Sequence, residues 1–393
     1  MNELARHWAL EPGLRYLNHG SFGACPREVL AAQAEDRARL ECQPVRFLVR
    51  EAPARLDAAR ETLGAFLGAD PDGLAFVPNA TTAVNAVLRS LRFEPGDEIL
   101  VTSHGYNACN NAARFVAERA GARVVAAPLP FPASSPDEIE AALLAAVTPR
   151  TRLALIDHVT SATALVLPVE RIVPALRERG VETLVDGAHA PGQVPLALDA
   201  LGAGWYTGNA HKWLCAPKGA AFLATRADLR EATHPTVISH GANAPLAGRS
   251  RYRLEFDWIG TLDPTPWLAL PRAIAFLESL VPGGWPEIMR RNRDLAREGR
   301  DIVLAALGGA PTAPASMNAA MATIPLPPAE PEGVVDHLWT DALQTALVEE
   351  DRIEVPIFPF PAPPARALRV SAQLYNDRSD YVALAAALRR RLA

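Results

Sequence analysis

The sequence is short of lysine. Of its 39 basic residues all but two, Lys212 and Lys218, are arginine. Arginine keeps its proton near neutral pH and cannot be an amine nucleophile, whereas lysine can. Amine chemistry is therefore confined to one short window. Cysteine is scarce too: Cys25, Cys42, Cys109 and Cys215 are scattered, with no CxxC spacing. That pattern argues against a zinc site or a disulfide framework, so no metal is expected. Reduced thiols in a cytoplasmic enzyme are the simplest reading. No apolar run approaches the length of a membrane span, and the opening MNELARHWALEPG has no signal-peptide core. Neither a membrane nor a nucleic-acid partner is expected, the latter because the net charge is −5.

Hydrophobic content of 49% and charged content of 21% belong to a soluble globular protein. At 393 residues the chain exceeds one core, and two domains are expected. There is no internal repeat. The 35 prolines fall mostly at turns and in clusters near 128–136, 325–331 and 356–364.

The lysine window closes the stretch Glu182 to Leu223, which the rest of the chain is organised around. A short apolar run, Thr183 to Val185, ends in Asp186. A second short strand, Trp205 to Thr207, precedes Lys212, and His189, Asn209 and His211 lie between. Amines form Schiff bases with aldehydes, pyridoxal phosphate among them. Such a site needs an acid at the pyridine nitrogen, a lysine at the aldehyde and donors on the phosphate. Asp186, at the end of a buried strand, stands where open α/β sheets place ligand groups.

Around this stretch, strands and helices alternate as in a largely parallel sheet. Tyr16–Leu17 reads as a strand before the turn Asn18 to Gly23, which holds His19. Helices are expected from Pro26 to Glu41 and from Pro53 to Leu67. After the strand Ala75–Val77, a polar turn enters a helix at Thr82. Free N–H groups at Ala80, Thr81 and Thr82 would suit a phosphate, although an ordinary N-cap reads the same. The strand Glu98–Thr102 leads into a loop with His104 and Tyr106. Arg152–Ile156 ends in Asp157-His158-Val159-Thr160-Ser161, which places His158 and Ser161 at the pocket. Asp157 and His158 face opposite sides of their strand and cannot share a metal. After Leu223 the pattern changes: residues 234–260 contain many small, polar and aromatic residues, with no helix assigned. Helices follow from Pro266 to Leu280 and from Trp285 to Leu307, and Leu368–Ser371 is a strand carrying Arg369.

The segments V-D-G-A-H at 185–189 and T-G-N-A-H-K-W at 207–213, continuing L-C-A-P-K-G-A-A-F-L, resemble the class V aminotransferase superfamily. The wording is most similar to its isopenicillin N epimerase-like branch, which also has L-N-H-G-S-F-G near its start and R-x-S-x-x-x-Y-N near its end. The resemblance spans roughly residues 15 to 385. It implies an α/β fold, the pyridoxal-phosphate-dependent transferase fold type I. A large domain, 15–265, would hold a mostly parallel sheet flanked by helices; a smaller α+β domain would take 266–393 with 1–14. It implies that Lys212 is the Schiff-base lysine and that Asp186 pairs with the pyridine nitrogen. Tyr106 would stack on the ring, with His189 at the phenolic oxygen or phosphate. Ala80, Thr81, Thr82, Asn209 and His211 would hold the phosphate, joined by Thr261 of Gly260-Thr261 from the second subunit of a homodimer. Arg369 would clamp the α-carboxylate of an amino-acid substrate, with Asn18 and His19 nearby. Lys218 has no role in the pattern. The reaction would be epimerisation or racemisation. A C–S β-lyase of the hercynylcysteine sulfoxide lyase type, or a transaminase, would use the same residues. A cysteine desulfurase is disfavoured, because no cysteine follows Cys215.

Overall fold

A computed structural model describes residues 2–329 and 341–392; the end of the proline cluster near 325–331 lies outside them. In chain order, β1 (Arg15–Tyr16) precedes α1 (Arg27–Cys42), α2 (Ala52–Leu67), β2 (Leu74–Val77) and α3 (Ala80–Ser90). Then come β3 (Glu98–Thr102), α4 (Asn107–Ala120), β4 (Arg123–Ala127), α5 (Pro136–Ala145), β5 (Thr151–Asp157), α6 (Val169–Glu178) and β6 (Glu182–Asp186). After α7 (Leu198–Leu201), β7 (Trp205–Asn209) and β8 (Ala221–Thr225) flank the lysine turn. Helices α8 (Arg251–Asp257), α9 (Thr265–Leu268), α10 (Leu270–Ser279) and α11 (Gly284–Leu307) follow. The chain ends with β9 (Met321–Leu326), α12 (Ala342–Glu349), β10 (Ile353–Glu354), β11 (Ile357–Pro359), β12 (Arg366–Ser371) and α13 (Arg378–Leu392).

Seven strands form the main sheet in the order β2-β8-β7-β6-β5-β3-β4. The strands from β7 to β4 are parallel, while β8 runs antiparallel to both β7 and β2. Apolar residues cover both faces. Leu100, Ile156, Val185 and Phe222 belong to one cluster, and Val101, Leu155, Leu184 and Leu223 to the other. Such double burial is why the strands read as continuous apolar runs. Register sets Asp157 of β5 opposite Asp186 of β6. Both therefore emerge on one face at the carboxyl edge.

A second, three-stranded antiparallel sheet, β11-β12-β9, packs with α11 and α13 around a third cluster that includes Val303, Ile324, Val370 and Tyr381. Leu17 belongs to this cluster, and β1 pairs with β10, so the chain's start is bound to its end. Leu270, Ala273 and Leu277 of α10 instead join a cluster of the main sheet.

Two elements depart from expectation. The helix expected over Pro266–Leu280 is split at Ala269 into α9 and α10. Pro271 has no N–H, and its ring crowds the carbonyl one turn back, which ends the first helix. The segment 234–260 contains α8, capped by the Ser250 hydroxyl accepting from Arg253 N at 3.2 Å. Its Tyr252 and Phe256 are buried against the sheet. No helix among the described residues is long and apolar enough to cross a membrane.

Candidate active site

Lys212 lies in the tight turn after β7. Its N–H donates to Asn209 O at 3.2 Å, and its carbonyl accepts from Cys215 N at 3.0 Å. Cys215 closes the turn with φ of 54°, a left-handed conformation unusual outside glycine. Trp213 and Leu214 are buried and anchor the turn, leaving the lysine side chain at the carboxyl edge of the sheet. Its Nζ lies 3.0 Å from His189 Nε2. Burial, then the nearby Arg369 charge, lowers the ammonium to about 7 against the opposing pull of Asp186. His189 is held well below its ordinary value by burial and by Lys212, so its ring is neutral and Nε2 accepts from the lysine. His189 Nδ1 is buried without a partner among the described residues.

Asp186 stands at the acid end. Its Oδ1 accepts from Ala188 N at 2.9 Å, and its Oδ2 accepts from the Cys109 thiol at 3.1 Å. Asp157 beside it is pushed well above the usual carboxylate range by burial and by Asp186. Tyr106 is the residue before α4 and keeps 47% of its surface exposed. His158, expected at the pocket, points to the other face and meets Tyr206 Oη at 2.8 Å. Strand alternation decides this: Asp157 takes the site's face, so His158 cannot.

At the start of α3, Asn79 caps the helix, its Oδ1 accepting from Thr82 N at 2.8 Å and from Thr82 Oγ1 at 3.0 Å. Asn209 Oδ1 accepts from Ala80 N at 2.9 Å, which ties β7 to the start of α3. No described group accepts from the Thr81 N–H. His211 is lowered to about 4 by burial, and its Nδ1 is buried without a described partner. Thr261 is exposed, and Gly260 before it has φ of 119° with open space around it.

Arg369 is fully buried at 1% exposure, yet meets only neutral groups. Nη1 donates to Ser161 O at 2.5 Å, Nη2 to Ser21 Oγ at 2.9 Å, and the guanidinium lies 5.0 Å from the Phe358 ring centre. No carboxylate stands within salt-bridge distance of Arg369 or Lys212 among the described residues. Burial pushes Arg369 down to about 10. A buried cation without an anion is costly, and an incoming carboxylate would relieve that cost. Ser161 thus stands beside Arg369. Asn18 bonds Glu354 Oε1 at 3.0 Å through Nδ2 and leaves Oδ1 unpartnered. His19 lies beneath the lysine turn, with Nδ1 2.8 Å from Tyr375 Oη and Nε2 3.0 Å from Lys212 O. No ring nitrogen is left for a substrate. No local pattern marks the Cys109 bond to Asp186 or Asp157 beside it; both arise from long-range packing.

The model of the aminotransferase class-V family matches residues 16–380. The chain belongs to this family. It is 38% identical to isopenicillin N epimerase of Streptomyces clavuligerus, over 96% of this chain and 95% of that one. It is 31% identical to L-cysteine desulfhydrase of Arabidopsis thaliana, over 97% of this chain and 87% of that one. In fold it is similar to the cysteine desulfurase CsdA of Escherichia coli, with a TM-score of 0.78 at 23% identity, covering 99% of this chain and 98% of that one. Membership makes the chain an enzyme dependent on pyridoxal 5'-phosphate. The residues fit that cofactor. An amine lowered toward neutrality, a buried carboxylate, a free helix N–H and the orphaned nitrogens of His189 and His211 stand at one edge of the sheet.

Proposed function

We propose that the protein is an amino-acid epimerase or racemase of the isopenicillin N epimerase type, acting at Cα. One observation carries the reading. Lys212, with its proton loosely held, stands among Asp186, His189 and an unpaired buried Arg369. Identity to the epimerase over nearly the full chain supports it.

Pyridoxal phosphate, when bound, draws off the electron pair left at Cα. In this reading Lys212 would hold the cofactor's aldehyde, and its free amine would move the Cα proton. Asp186 would face the ring nitrogen, Tyr106 the ring and His189 the phenolic oxygen. Ala80, Thr81, Thr82, Asn209 and His211 would hold the phosphate, and Arg369 would take the substrate's α-carboxylate by its planar fork. The active unit is a homodimer in which Thr261 reaches the other subunit's phosphate; its exposure, with that of Val237, Ile238 and Leu246 earlier in the segment, supports this. The enzyme is cytoplasmic, in keeping with four unpaired cysteines.

A second reading, a C–S β-lyase on a cysteine-derived substrate, is favoured by the identity to the desulfhydrase. A cysteine desulfurase is not: Cys109 and Cys215 are buried, and burial pushes both thiols upward, away from the reactive thiolate.

The test is a panel of amino acids and S-substituted cysteines incubated with the holoenzyme in D₂O. Inversion with deuterium uptake at Cα is expected. Pyruvate or thiol release would establish the lyase instead, and stoichiometric pyridoxamine phosphate the transaminase. Lys212→Ala should lose the borohydride-stable cofactor adduct and Lys218→Ala should keep it.

A further inference from the structure

The loop Asn18–Gly23 touches both ends of the reacting apparatus. Toward the lysine, His19 Nε2 lies 3.0 Å from Lys212 O. A carbonyl only accepts, so Nε2 must carry the proton and Nδ1 must accept from Tyr375 Oη, 2.8 Å away. The ring is wholly buried, and burial lowers it to about 3, so this neutral tautomer persists across the working pH range. Toward the clamp, Ser21 Oγ lies 2.9 Å from Arg369 Nη2.

Two glycines let the loop lie so close to both. A Cβ on Gly23 would come within 2.5 Å of Lys212 O and 2.6 Å of His211 O. A Cβ on Gly20 would come within 2.5 Å of Met321 Sδ and 3.2 Å of Arg369 Nη2. The loop is also pinned to the smaller sheet, with Gly20 N donating to Ser371 Oγ at 3.1 Å and Leu17 O accepting from Ser371 N at 2.9 Å. On the other side Lys218 Nζ donates to Gly23 O, so both lysines of the chain bear on these few residues.

We infer that this loop is one positioning element for two reacting groups: His19 sets the backbone from which Lys212 reaches, and Ser21 sets the fork of Arg369. The inference rests on the functional reading of Lys212 and Arg369 above. It moves His19 from substrate contact to positioning. It also separates the kinetic consequences of two residues only two positions apart, because one acts on the base and the other on the carboxylate.

The test uses the holoenzyme and the exchange reaction at Cα. His19→Ala should lower kcat about tenfold or more with little change in KM, since one hydrogen bond to the lysine's backbone is lost. His19→Gln, whose amide offers a donor in place of Nε2, should recover most of that loss. Tyr375→Phe keeps the shape but frees the tautomer, and should reproduce a weaker form of the His19→Ala effect even if His19→Ala does not fold. Ser21→Ala should raise KM several-fold with kcat nearly kept.

A second readout does not depend on the cofactor. Reductive ¹³C-methylation of the apoenzyme labels only two lysine side chains, so the Lys212 resonance can be titrated directly. Its midpoint should shift in Tyr375→Phe and His19→Ala, which release the lysine's backbone, and should shift less in Ser21→Ala, which reaches it only through the Arg369 charge. Equal effects of His19→Ala and Ser21→Ala on kcat and KM would overturn the inference. So would a Lys212 midpoint indifferent to Tyr375→Phe, or a His19→Gln enzyme as impaired as His19→Ala. If instead Lys212→Ala keeps its borohydride-stable adduct, the functional reading itself fails.

Discussion

Lys212 Nζ sits 3.0 Å from His189 Nε2, and among the described residues no carboxylate stands within salt-bridge distance of either. Both are pushed toward their neutral forms, Lys212 to about 7. This favours an amine that can add to an aldehyde and later take a proton. It also makes the apoenzyme store a cost.

That cost has a defined pH dependence. With the folded value near 7 and the unfolded one near 10.5, the unfolded chain binds more protons between those limits. Stability therefore rises with pH through that window. Below about 7 the folded lysine is charged and the full cost is present. Lys212→Met removes the titrating group, so it should raise the apoenzyme Tm at pH 7, with a gain that shrinks as pH approaches 10. Calorimetry of apoenzyme and variant across this range checks it. A gain that grew with pH would reverse the assignment of the shift.

A different buried cation should behave oppositely. Arg60, 1% exposed on α2, donates through Nε to Leu74 O at 2.8 Å, through Nη1 to Asp57 at 3.0 Å, and through Nη2 to Asp257. Burial raises Asp257, and Arg60 is foremost among the charges that hold it down. Arg60→Ala would remove that carboxylate's nearest cation and leave only the longer Arg249 pair at 3.5 Å, and should cost about 3 kcal/mol in chemical denaturation. Arg253, which pairs with Asp57 and Asp72 from a more exposed position, should cost less when replaced by Ala.

The contrast shows what could be read before folding. Lys212 and Asp186 were legible because each has a local marker: a lysine in a chain that otherwise uses arginine, and an acid closing an apolar run. The strand β3 was legible to the residue, since burial of every position makes it a largely apolar run with sharp ends. The role of His19 was not, because its partners Lys212 and Tyr375 stand far along the chain and only folding brings them to it. Helix α8 was missed for a similar reason. Its stability comes from Tyr252 and Phe256 packing on the sheet and from the Arg60–Asp257 pair, with little periodicity of its own.

Thr261 offers a test of assembly. Its exposure in the single chain, beside an open Gly260, suits a residue that completes another subunit's site. Lys212→Ala and Thr261→Asp should each be inactive alone. In a mixed dimer, the site with an intact lysine receives an intact Thr261 from the other subunit. Equal mixing after unfolding and refolding should then restore about a quarter of the activity, since half the dimers are mixed and each has one whole site. No recovery, with mixed dimers shown by mass spectrometry, would place Thr261 in its own subunit's site, and full activity of Thr261→Asp alone would place it outside any.

Arg369 gives the sharpest expectation for substrate recognition. It is buried, its acceptors are a backbone carbonyl and two hydroxyls, and its Nε has no partner among the described residues. A charge so placed gains most from a bidentate carboxylate. Arg369→Ala should weaken binding of amino acids by about 1.5–3 kcal/mol, the usual worth of a hydrogen bond to a charged group. Arg369→Lys should not rescue it, because an ammonium keeps the charge but not the fork. The comparison substrate is the corresponding amino-acid amide, which lacks the carboxylate charge. Wild type should discriminate strongly against the amide, and Arg369→Ala should handle acid and amide alike. If both variants kept the wild-type preference, the α-carboxylate would have to bind elsewhere, and the unpaired guanidinium would need another anion.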